Sequence, residues 1–133
     1  MKRDLDLIRE ILLQIEADPK FDGSANPVDA AKLGITGRTN AEVMYQVVQL
    51  IDGGLLAGKI LSAGAFPPAA VVIFKLTWKG HEYLDSVRDP AVWKETKVRL
   101  EGAGSFTFDL AKAFAKGFVK KKIEEHTGVK LEF

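Results

Sequence analysis

The stretch TNAEVMYQVVQLIDGG, residues 39–54, fixes both ends of one helix and the direction it must face. Thr39 with Glu42 three residues later is a capping-box pair, in which the hydroxyl and the carboxylate each accept from the other residue's amide. Gly53–Gly54 supplies the left-handed position that ends many helices. Between them Val43, Met44, Val47, Val48, Leu50 and Ile51 fill one side, and Glu42, Tyr45, Gln46 and Gln49 the other. A short helix that is apolar on one side gains its stability from what covers that side. The rest of the chain must therefore provide the cover.

Residues 4–17, DLDLIREILLQIEA, read as a second amphipathic helix, with Leu5, Ile8, Ile11, Leu12 and Ile15 on one stripe. Asp4 and Asp6 suit its electropositive start, and Pro19 and Gly23 stop it. Residues 28–38, VDAAKLGITGR, hold Gly34 and Gly37, which allow only a short helix over 28–33 or an extended bridge near Ile35–Thr36. After the Gly53–Gly54 stop come LLAGKILSA and AAVVIFKLT, separated by GAFPP. The second run is rich in β-branched residues, and Pro67–Pro68 belongs in a loop. The pair predicts a hairpin with a long tip.

Thr77 then caps a helix running through about Arg88, with Gly80, Tyr83, Leu84 and Val87 on one face. It carries His81–Glu82, which looks like chemistry. Neighbouring side chains on a helix diverge by about 100°, and a zinc pair needs His at i and i+4. Position 85 is Asp85, and no third ligand stands nearby. His81 reads as a scaffold residue. Asp89–Pro90 opens a further helix to about Leu100, by aspartate cap and proline at the first helical position. A last helix, about 106–126, carries Leu110, Ala111, Phe114, Ala115 and Phe118 on one stripe and Lys112, Lys116 and Lys120 on another.

The order helix, short element, helix, hairpin, helix describes an α+β, mostly α fold: a winged helix-turn-helix core with a β-hairpin wing and two appended C-terminal helices. It divides into a winged-helix domain over 1–88 and a helical extension over 89–133, packed on the first or forming a dimer interface. A chain of 133 residues, 47% hydrophobic, can fold without staples. It has no cysteine, which removes disulfides and zinc–cysteine sites and suits a cytoplasmic protein. No apolar run reaches membrane-spanning length, and the mixed charges of MKRDLDLIRE do not form a secretory signal.

MKRDLDLIR at the start and LTWKGHEYLD after the hairpin resemble a bacterial and phage family of hypothetical proteins, catalogued as a domain of unknown function. Its members open M-K-R-D-x-D-L-[IV]-R and carry L-T-x-x-G-H-x-[FY]-L-D after a predicted wing. The resemblance spans about residues 1–120 and implies a winged-helix fold, with no catalytic residues to transfer. A histidine common in that family after the tyrosine of the second long helix is Gln46 here.

On this reading the exposed face of helix 39–52 is a recognition surface for duplex DNA, because the major groove admits a helix. Asn40, Gln46 and Gln49 suit adenine edges, Thr39 and Tyr45 suit phosphate or a thymine methyl, and Arg38 suits phosphate or guanine. Lys59, Lys75 and Lys79 would meet the backbone. Against this, the helix has no Lys or Arg, and the chain's net charge is only +1, whereas DNA affinity comes largely from phosphate neutralisation. The alternative is a protein–protein interaction module that uses the C-terminal helix and an apolar wedge at Phe66. Phe106, Phe108, Leu110, Phe114 and Phe118 form the candidate interface of a homodimer. No dinucleotide, P-loop or nucleophile-elbow motif is present, so neither an enzyme nor a cofactor is expected.

Overall fold

The structure is a computed structural model, and it describes residues 1–61, 68, 70–103, 108–128 and 130. Among these residues it contains five helices and a three-stranded antiparallel sheet, an α+β and mostly helical architecture. The elements are α1 Leu5–Ala17, β1 Asn26–Pro27, α2 Asn40–Asp52, β2 Leu56–Leu61, β3 Ala70–Leu76, α3 Trp78–Val87, α4 Pro90–Ala103 and α5 Phe108–Thr127. They fall into two compact units, Met1–Glu82 and Tyr83–Phe133. The division lies within α3, ahead of the expected boundary after Arg88.

In the first unit, α1 starts at Asp4, whose carboxylate accepts from the amide of Leu7 at 3.1 Å. Its stripe of Ile8, Ile11, Leu12 and Ile15 is fully buried, and α1 packs on α2 and β3. From α2, Val43, Val47 and Leu50 enter the same core; from the sheet, Leu56, Val71 and Ile73 do. The sheet order is β1-β3-β2. The expected hairpin is paired, Lys59 opposite Val72 and Leu61 opposite Ala70. A bulge between Ala57 and Gly58 shifts the register. Gly58 permits it, because a Cβ there would press on the carbonyl of Val72.

Two local expectations are corrected. Residues 28–33 do not form a helix. They form one tight turn, in which the amide of Leu33 donates to the carbonyl of Asp29 and that of Ile35 to Ala30. The Asp29 carboxylate accepts from the backbone amide of Lys32, and Gly34 ends the turn at φ +70°. The extended bridge lies at Asn26–Pro27 rather than near Ile35. Pro27 has no N–H to give, so a two-residue edge position suits it.

Thr77 explains how α3 begins. Its amide donates to the Leu55 carbonyl at 3.1 Å, and its hydroxyl donates to the Gly54 carbonyl at 2.6 Å while accepting from the amide of Gly80. Gly80 rests on the Leu55 carbonyl so closely that any Cβ would overlap it.

The second unit is built on the α4–α5 hairpin. Asp89 caps α4 through the amides of Ala91 and Val92, and its other oxygen accepts from Lys122 of α5 at 2.9 Å. Val92, Trp93, Thr96, Leu100, Ala111 and Ala115 are buried. Helix α4 continues to Ala103, past its expected end at Leu100, because Gly102 continues the helix rather than ending it. Phe66, the proposed wedge, and Phe106 lie outside the described residues, as does the side chain of Phe108.

Candidate nucleic-acid interface

The head of α2 gathers much of the proposed recognition set: Arg38, Thr39 and Asn40 are exposed there, yet the side chain of each is bonded within the fold. Thr39 and Glu42 close the capping box: the Thr39 hydroxyl accepts from the Glu42 amide at 3.1 Å, and the Glu42 carboxylate accepts from the Thr39 amide at 3.4 Å. The Asn40 carbonyl oxygen accepts from the Ala30 amide at 2.9 Å, tying the tight turn to α2. The Arg38 guanidinium pairs with Asp4 and lies 3.6 Å from Glu42. Burial alone would raise the pKa of Asp4. The hydrogen bond from Arg38, the amide of Leu7 and the attraction of the guanidinium outweigh burial and hold it below the usual aspartate value. The same hydrogen bond, and then the charge of Asp4, raises the pKa of Arg38.

Gln46 corrects the expected polar face of α2. It is only 3% exposed. Its Nε2 donates to the Lys2 carbonyl at 2.9 Å, and its Oε1 accepts from the Asp4 amide at 2.9 Å. The side-chain amide thus pairs with residues 2–4 as a neighbouring strand would. Burial of an amide is tolerable only when its donor and acceptor are both met, and here they are. Gln46 cannot reach a base edge while that clasp is closed.

Tyr45 and Gln49 remain on the outward side of α2, each half-buried. Lys59 on β2 and Lys75 on β3 are exposed. Lys79 is exposed too, and its ammonium donates to the Gly53 carbonyl at 3.2 Å, where the end of α2 favours a cation. Residues 1–82 carry nine Lys and Arg against ten Asp and Glu, a net of −1, and residues 83–133 carry ten against eight, a net of +2. The unit that holds α2 and the hairpin is therefore slightly acidic.

Among the interface residues, Leu110, Phe114 and Phe118 are half-buried, while Ala111 and Ala115 of the same helix are fully buried. The Arg99 guanidinium stands 6.0 Å from the Phe118 ring. His81 is exposed on α3. Among the described residues no group of three or more His, Cys, Asp or Glu is placed to hold a metal, and no helix is long and apolar enough to cross a membrane.

Sequence reasoning missed three features. Asp4 suits a helix start, but its pairing with Arg38, 34 residues away, leaves no local signal. The clasp of Gln46 on Lys2 and Asp4 spans more than 40 residues and is equally silent. Trp78 is 81% exposed, with its indole N–H donating to Glu82 at 3.2 Å; only its place one residue past the cap Thr77 hinted that it would point outward.

A family model described as "Hypothetical protein (DUF2513)" matches residues 2–106. An "Uncharacterized protein" of Haemophilus influenzae is 30% identical over 124 residues, which cover 92% of this chain and 99% of that protein. No solved structure matches the chain.

Proposed function

We propose that this protein, which belongs to the DUF2513 family of hypothetical proteins, is a cytoplasmic winged-helix regulatory factor that contacts duplex DNA. The observation that carries the reading is the sequence of elements in the first unit: a capped helix, α2, followed directly by a paired hairpin with Lys59 and Lys75 exposed. Helix-turn-helix proteins use such a helix in the major groove and contact the backbone from its surroundings. With Gln46, Asn40 and Arg38 committed within the fold, Gln49 is the residue of α2 assigned to the groove. The contact is then mainly with phosphates and modest in strength.

A salt titration of binding to a mixed-sequence DNA duplex tests this. Four phosphate contacts give a log–log slope of about −3.6, and roughly a hundredfold loss of affinity between about 50 and 200 mM salt. No binding at about 50 mM salt would end the DNA reading for non-specific duplex, and selection from a random duplex pool extends the test to a specific site.

A second reading has its own support. The acidic balance of residues 1–82 disfavours a polyanion, and the half-exposed Leu110, Phe114 and Phe118 favour a protein contact, with a second copy of this chain as the simplest occupant. Light scattering on the full chain separates the two: a dimer without duplex binding supports the interaction module alone.

A further inference from the structure

We infer that the open edge of β2 receives an acidic, extended segment of a partner protein as a further strand of the sheet. This goes beyond both readings above: it uses the sheet rather than α2 or α5, and its partner is a peptide rather than a nucleic acid.

The register shows which groups of β2 are left over. Strand β2 stands at one side of the order β1-β3-β2, with no strand beyond it among the described residues. The amide of Val28 donates to the Val71 carbonyl at 3.0 Å, so Val71 turns its backbone groups toward β1. Antiparallel pairs alternate along a strand. Ala70 and Val72 therefore turn toward β2, where they face Leu61 and Lys59. Gly58 and Ile60 are left with N–H and C=O directed away from β3, into the open edge. Pro27 agrees with this phase, since it stands opposite Val72, where β1 gives no N–H to β3.

The side chains specify what fits. Ile60, opposite the buried Val71, lies on the core side of the sheet; Lys59 and Leu61 lie on the other face. Leu61 is 56% exposed and offers an apolar contact to a neighbouring strand. Lys59 is exposed, as is Lys75 on β3 opposite Ala57, and neither ammonium is engaged among the described residues. A lysine on an edge deters pairing with unselected strands, and admits one that brings a carboxylate opposite it. The fitting segment is apolar opposite Ile60 and Leu61 and acidic opposite Lys59. A second copy of this chain suits the edge less, because pairing Gly58 with Ile60 of another β2 sets Lys59 against Lys59. Strand addition draws affinity from main-chain bonds and specificity from alternate side chains, and this edge supplies both.

Selection of displayed random peptides of about ten residues, long enough to span β2, on the full-length chain tests this. Bound peptides should be rich in Asp, Glu and β-branched residues, and should slow hydrogen exchange of the Gly58 and Ile60 amides in NMR spectra. Lys59→Glu, at an exposed position, should weaken them roughly threefold to tenfold. Ile60→Pro removes the outward N–H but leaves the pairs made by Lys59 and Leu61, and should abolish binding. Should Ile60→Pro fail to fold, Lys59→Glu and the exchange data decide. Selection of no peptide, selection of basic peptides, or unchanged exchange at Gly58 and Ile60 overturns the inference. Loss of duplex binding in Lys59→Glu with no acidic peptide selected also overturns it, and assigns the lysine to nucleic acid.

Discussion

Gly80→Ala should destabilise the protein even though alanine is the better helix former. A Cβ at position 80 would overlap the Leu55 carbonyl oxygen, far inside the 3.0 Å that real Cβ atoms respect, and would lie 3.1 Å from its carbonyl carbon. The obstacle is backbone, which cannot rotate away as a side chain can. Helix α3 must lift, and the bonds from Thr77 to Gly54 and Leu55 lengthen with it. Helix propensity favours alanine by about 1 kcal/mol. Overpacking costs about 1–3 kcal/mol, and two weakened hydrogen bonds about 0.5–1.5 kcal/mol each. The net loss is roughly 1–5 kcal/mol. Gly117→Ala is the internal control, because nothing stands within 4 Å of a Cβ at that exposed position in α5. It should stabilise by up to about 1 kcal/mol. Urea unfolding followed by far-UV circular dichroism reads both. A Gly80→Ala midpoint equal to or above wild type would mean that α3 does not seat on Leu55, and would refute the account of its start.

Asp4→Asn keeps a capping side chain but removes the charge that Arg38 faces. Because the folded pKa of Asp4 is lowered, its contribution is present above the ordinary value of 3.8 and is lost as pH falls through the folded value. Wild type should therefore exceed the variant in stability by up to about 1 kcal/mol near neutrality, and the gap should close in acid; a gap that persists at the acid end contradicts the assignment. Gln46→Ala strands the Lys2 carbonyl and Asp4 amide and should cost about 1–3 kcal/mol in urea; a loss under half that lower figure would mean the clasp is open in solution. His81→Ala should leave stability within about 0.5 kcal/mol and leave duplex binding unchanged, and a clear loss of either would return His81 to the list of functional residues. Phe114→Asp with Phe118→Asp should convert a dimer to monomer by light scattering while α1–β3 stay folded; an unchanged mass would place any dimer contact elsewhere.

The element order was readable because each helix carries its own signals. Thr39 with Glu42, Gly53–Gly54, Thr77 and Asp89 mark ends by local chemistry, and the structure uses all four as caps or stops. The apolar stripes of α1 and α2 point where the 3.6-residue period puts them. Residues 28–38 were ambiguous because a single turn held by Asp29 and Gly34 has no periodicity to read. The polar face of α2 was only half readable. A helical wheel places Gln46 beside Glu42, but it cannot show that residues 2–4 lie over it, and a glutamine is equally at home in water or around a peptide group.

Two stretches that stand out in the sequence, MKRD and LTWKGH, are fastenings in the structure. In MKRD, Asp4 caps α1 and meets Arg38, and the flanking backbone is held by Gln46. In LTWKGH, Thr77 ties α3 to the end of α2, and Gly80 lets the helix rest on Leu55. Both join segments distant in sequence, which is reason enough for their residue types without any reaction or ligand. His81 is exposed beside the second fastening and takes no part in its hydrogen bonds to Gly54 and Leu55. Function is therefore sought outside these two fastenings: at the exposed Lys59 and Lys75 for an anionic partner, or at Phe114 and Phe118 for an apolar one. Charge-removing substitutions at these two exposed cations alter no core contact, so a binding change there cannot be attributed to misfolding, and the choice between the two partners reduces to which of these two sets moves the measured affinity.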